Sequence, residues 1–149
     1  MFAAYRETGY NVMLFLHIVS AVVAFAPAFV HPLLVKQTMS MGEGRRRMLE
    51  AMAGNGRRIY APALILVGLF GFAMQGMSDG VIEMGQTWFW LAIVLWLAMN
   101  GVLHAMLLPA ERAVAAGDDS ATSKVDTAGL ILTVLLLVTL YLMVFKPGF

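Results

Sequence analysis

The chain has 149 residues, 60% of them hydrophobic and 13% charged, with a mean hydropathy of +0.79. That is too apolar for a soluble domain and ordinary for a single all-α membrane domain. A net charge of +1 with no basic patch on a soluble face points to no nucleic-acid partner, and the lack of cysteine excludes disulfides, iron–sulfur clusters, thiolate catalysis and covalent c-type haem attachment.

Residues 1–9 form a short polar lead with Arg6 and Glu7. Residues 10–35, YNVMLFLHIVSAVVAFAPAFVHPLLV, then run for 26 positions without Asp, Glu, Lys or Arg, the mark of a transmembrane helix. Ala24-Phe25-Ala26 imitates a signal-peptidase site, but Pro27 follows it and the apolar run continues, so the segment reads as a retained span. Pro27 is expected to kink this helix and Pro32 to help end it. His17 and His31 interrupt the run. They lie ~21 Å apart along a helix axis and roughly 40° apart around it, so they share a face but not one metal ion. Between them that face carries Ser20, Ala21, Ala24 and Ala28. Such a stripe of small side chains admits a neighbouring helix or a flat ring. A histidine in hydrocarbon is costly and marks a functional site by default.

Residues 36–59 hold Lys36, Arg45, Arg46, Arg47, Arg57 and Arg58. The segment GEGRRRMLEAMAG predicts a short interfacial helix, with Met48, Leu49 and Met52 toward lipid and the arginines toward headgroups. The second span is 60–77, with Gly68, Gly71 and Gly76 for close helix contacts and Gln75 near its far end. A turn at 78–86 leads to the third span, 87–108, which opens on the interfacial Trp88 and Trp90. Asn100 and His104 are one turn apart on one face, and Pro109 is expected to close the span. Residues 110–126 are small and polar, and Asp126 is expected to cap the fourth span, 127–145. Nothing reads as a strand, and all nineteen Asp, Glu, Lys and Arg residues fall outside the four span cores. Eight of the ten basic residues lie in the 1–2 and 3–4 connections, which predicts both termini outside and both of those loops in the cytoplasm.

With this topology His31 and His104 lie at similar depth near the cytoplasmic face, a candidate bis-histidine pair for b-type haem. His17 sits toward the outer face, to act alone or with methionine, water or a substrate. A ligating ring needs an acceptor for its other nitrogen, and Asn100 and Ser20 are the candidate helpers. The chain has no H-E-x-x-H, phosphate loop or nucleophile–base pair, and no charged side chain inside a span to couple transport to ions.

The first-span FLHIVSAVVAFAPAFVHPLLV resembles the opening of CopD-like bacterial membrane proteins. That superfamily includes copper-resistance CopD, the HemJ-type protoporphyrinogen oxidase and a four-span family, to which VLHAMLLP and the terminal YLMVFKPG are similar. The resemblance covers nearly the whole chain. Its HemJ-type members imply haem b and a histidine early in span one, which matches His17; they also use a lysine in a later span, and spans two to four contain none. CopD implies copper handling, though the outer segments carry no histidine or methionine cluster.

The sequence therefore predicts a four-helix bundle of the bacterial cytoplasmic (inner) membrane, N-out and C-out, in contact with membrane lipid. It predicts b-type haem on intramembrane histidines and an electron-transfer or haem-linked redox role; whether it is an enzyme is left open. The alternatives are a structural or assembly subunit of a larger membrane complex, with other subunits or a second copy as partners, and a metal or metabolite transporter.

Overall fold

In hydrocarbon a helix satisfies every backbone N–H and C=O within itself, and the apolar runs of this chain fold accordingly. The structure is a computed structural model that describes residues 8–38, 42 and 44–148. Among these residues there is no strand. The helices are α1 (Thr8–Thr38), α2 (Gly44–Asn55), α3 (Ala61–Gly76), α4 (Thr87–Val102), α5 (Leu108–Ala115) and α6 (Thr122–Phe145). Two π turns, Gly56–Tyr60 and Leu103–Leu107, join α2 to α3 and α4 to α5 without a break. The result is four helical stretches, Thr8–His31, Gly44–Gly76, Thr87–Ala115 and Asp119–Phe145, each long and apolar enough to cross a membrane.

Both π turns have the same cause. Pro62 and Pro109 are each the second residue of the α-helix that follows a π turn. Proline gives no N–H, and its ring presses on the carbonyl one turn back. Widening that turn to the i→i+5 pattern relieves the clash and lets the helix go on. Pro109 thus does not close the third span, which continues to Ala115. Pro32 likewise does not end α1, which runs to Thr38. Asp126 is not a cap: α6 begins a turn earlier, at Thr122. Asp118 instead caps the 3-10 turn Asp119–Ala121 that leads into α6, accepting hydrogen bonds from the Ser120 hydroxyl and backbone N–H, and these hold it below the usual carboxylate range.

The helices form a closed ring in which α1 packs mainly on α3 and α4 mainly on α6, with α3–α4 and α1–α6 as the lesser seams. The first and third stretches therefore sit diagonally. Their buried centre is Ala61, Leu64, Met99, Leu103, Leu108 and Leu132. On α1, Val12, Phe15, Val19 and Val22 are exposed at three- and four-residue spacing, an apolar stripe on the outside of the bundle. The small-residue stripe lies on the inward side: Ala24 packs against the central cluster.

Helix α2 departs from the interfacial reading. Leu49 and Met52 are buried, and Leu49 packs with Val114 and Ala115 of α5. The apolar face of α2 is therefore spent on protein, and only its arginine face is left outside. Arg45 ties the same region to the 3–4 connection through Asp119 at 2.9 Å. At the opposite end Ile82, Trp88 and Phe89 form a third cluster, and the Lys146 ammonium sits 5.5 Å from the Trp88 ring centroid. Trp88 is thus a core residue, while Trp90 is exposed.

Orientation is testable on this frame because the chain has no cysteine to interfere. Ser40 lies outside the described residues, and Ser78 is buried. The exposed Ser123 and Glu83 are the better probe sites. A cysteine at Ser123 is expected to resist an impermeant maleimide in intact cells while one at Glu83 reacts. The opposite pattern would invert the bundle.

Candidate functional site

Two cavities hold histidines. The larger, about 340 Å³, lies where α1, α2, both π turns, α5 and α6 converge. Ala24, Ala28 and Pro27 form its α1 wall, Gly129 and Thr133 its α6 wall, and the lining is overwhelmingly apolar. His31 projects into this lining beside Tyr60, whose ring meets the imidazole edge-on at 5.6 Å between centroids.

The partner of His31 is Glu111. His31 Nδ1 donates to Glu111 Oε1 at 3.2 Å, and the two side chains are only 13% and 9% exposed. Toward an ionised carboxylate Nδ1 is the donor, and in the neutral ring that tautomer leaves the Nε2 lone pair for a ligand. Glu111 Oε2 is buried with no hydrogen-bond partner. It rests against Gly56, where a Cβ would stand 2.9 Å from it. The π turn makes this approach possible, because Gly56 begins the turn that also carries Tyr60. A buried carboxylate oxygen without a donor is costly, about 1–3 kcal/mol or more, and such atoms are found where a ligand or a proton is to be received.

The second cavity, about 90 Å³, lies between His17, Phe72, Trp96 and Met143. His17 Nδ1 donates to the Val67 carbonyl at 2.8 Å. Trp96 Nε1 donates to the Leu64 carbonyl, also at 2.8 Å. Each of these carbonyls stands four residues before a glycine, Gly71 and Gly68. His17 therefore faces α3 from the inner side of α1.

The remaining sequence candidates do not join either histidine. His104 is exposed and lines neither cavity, although Leu103 and Leu107 of the same π turn line the larger one. Met99 and Leu103, four residues apart, face inward, and His104 stands beside that face. Asn100 donates back to the Trp96 carbonyl of its own helix at 2.9 Å. Ser20 is buried but lines neither cavity. The hydrogen-bond partner of His31 is thus Glu111 and that of His17 the Val67 carbonyl, and the bond that Asn100 makes is to its own helix. The third helical stretch continues past the expected span end to Ala115 and so carries Glu111 into the lining of the larger cavity. Glu111 is missed when Pro109 is taken as a terminus. A signal was present: LPAERAVA reads as a helix with proline in its first turn, and it places Leu108, Glu111 and Ala115 on one face.

No group of three or more metal-ligating side chains occurs among the described residues, so neither cavity supplies a multidentate metal centre. A cofactor that brings its own equatorial ligands needs less. His31, with Nδ1 held by a carboxylate and Nε2 free, is the arrangement by which proteins present an axial imidazole. Its cavity also has the volume of a small-molecule or cofactor site, for which ~300 Å³ is the usual lower bound. The His17 cavity falls below that bound. No protein-family model, curated protein or solved structure matches this chain.

Proposed function

We propose that the chain is a multi-pass protein of the bacterial cytoplasmic membrane that holds a b-type haem in the larger cavity, with His31 as its protein ligand. The observation that carries this reading is the 3.2 Å bond from His31 Nδ1 to Glu111 within an apolar, partly open cavity. Glu111 fixes the ring orientation and tautomer, and its negative charge makes Nε2 the stronger donor. The alanines of α1 and Gly129 of α6 keep the walls low, and the leucines of the third stretch exclude water. Haem would supply one-electron chemistry, and the role is electron transfer or a haem-linked redox step. The resemblance of the first span to CopD-like proteins supports the cofactor class. The basic loops, by the positive-inside rule, support a cytoplasmic position for this cavity.

Glu111 Oε2 favours a second reading. A buried, unpartnered carboxylate in a span is the usual device of a proton-linked carrier. A visible spectrum of the purified protein separates the two. A Soret band after expression with haem supply supports the first reading. Protein absorbance alone, with pH-dependent uptake of a small apolar solute into vesicles, supports the second.

A further inference from the structure

We propose that a separate, arginine-lined cleft on the outside of α2 binds the phosphate of an anionic membrane lipid. The cleft, about 530 Å³, is walled by Arg46, Glu50, Arg57 and Arg58 on one side and Arg112 on the other. Ala53 lies in its floor and also lines the His31 cavity, so α2 separates an apolar chamber from a cationic one. Glu50 is already matched to Arg46 at 2.8 Å. Arg57, Arg58 and Arg112 have no acidic partner among the described residues. Three uncompensated guanidinium groups facing one concavity repel each other, and an anion with several acceptor oxygens relieves this through charge-assisted, bidentate bonds.

The level of the cleft selects the anion. The stretch Gly44–Gly76 has 33 residues. At 1.5 Å per residue that is ~50 Å, well beyond the ~30 Å of hydrocarbon. Its arginine-bearing first half must therefore stand at or above the headgroups. Arg57 and Arg58 come just before Tyr60, where the apolar run starts, and Arg112 lies in the last turn of α5. Both walls thus reach the phosphate layer together, where a basic pocket between helices takes a lipid headgroup. Because the apolar face of α2 is buried on α5, its arginines are not there to balance an inserted apolar face.

The test uses the full chain in nanodiscs of phosphatidylcholine containing phosphatidylglycerol, with retained lipid counted by native mass spectrometry. About one phosphatidylglycerol per chain is expected to be retained in preference to phosphatidylcholine. Arg112→Gln is expected to weaken retention about fivefold, and the triple change at Arg57, Arg58 and Arg112 about a hundredfold. Arg58→Gln, on the opposite wall, gives the same loss as Arg112→Gln and stands in for it if that variant does not fold. Arg47→Gln, outside the cleft, leaves retention unchanged. Equal retention of the two lipids, or an equal loss with Arg47→Gln, overturns the proposal. Binding of inorganic phosphate in neutral detergent without any lipid preference would reassign the cleft to a soluble phosphate and overturn the lipid assignment.

Discussion

Gly68→Ala is expected to destabilise the bundle by about 2–4 kcal/mol, whereas Gly71→Ala, one turn further along the same helix, is expected to be neutral or slightly stabilising. The contrast comes from what a methyl would meet. At Gly68 a Cβ would fall inside the packing envelope of the Trp96 indole. That ring cannot swing aside, because its Nε1 is bound to the Leu64 carbonyl at 2.8 Å. Moving it loses a buried hydrogen bond and parts α3 from α4. At Gly71 the nearest atoms are those of His17, 3.5 Å away, which is ordinary contact. There the ~1 kcal/mol by which alanine is the better helix former decides the sign. Midpoints of thermal unfolding in detergent, followed by circular dichroism, test the pair. Equal shifts for the two alanines would mean that α3 and α4 do not approach at Gly68.

The second large effect is a coupling. His31→Leu strips Glu111 of its one donor while leaving the carboxylate buried, and is expected to cost about 2–4 kcal/mol. Glu111→Leu leaves only a neutral N–H without its acceptor and removes the unpartnered Oε2, so it costs less. The double change His31→Leu/Glu111→Leu fills the same space with apolar groups and is expected to lie within ~1 kcal/mol of the parent. Strictly additive losses in this cycle would mean that the two side chains do not interact.

The four long apolar helices themselves were legible, because charge-free runs of this length have few other structures open to them. The inward position of the His17–Ala24 face of α1 was legible for the same kind of reason, since regular helical spacing holds there. The candidate site was only half legible. His31 could be singled out as a costly polar group, but its partner was hidden because Pro109 reads as the end of the third span. Local chemistry says that proline breaks a helix; the π turns before Pro62 and Pro109 let the helices pass through instead. At Pro109 that difference moves Glu111 from a loop into the bundle. The burial of Leu49 and Met52 was not legible either, since the amphipathic pattern of α2 serves an interface with α5 as well as one with lipid.

The most direct test of the central reading is a titration of the purified protein with hemin, followed by visible absorption. The parent protein is expected to form a stoichiometric complex with a Soret band. The folded double variant His31→Leu/Glu111→Leu is expected to lose it, and Glu111→Leu alone to weaken it about 10–100-fold. His104→Ala and His17→Ala are expected to leave it unchanged. Undiminished binding by the His31→Leu/Glu111→Leu protein, or loss of the band on replacing His104 or His17 alone, would contradict the assignment of His31 as the ligand.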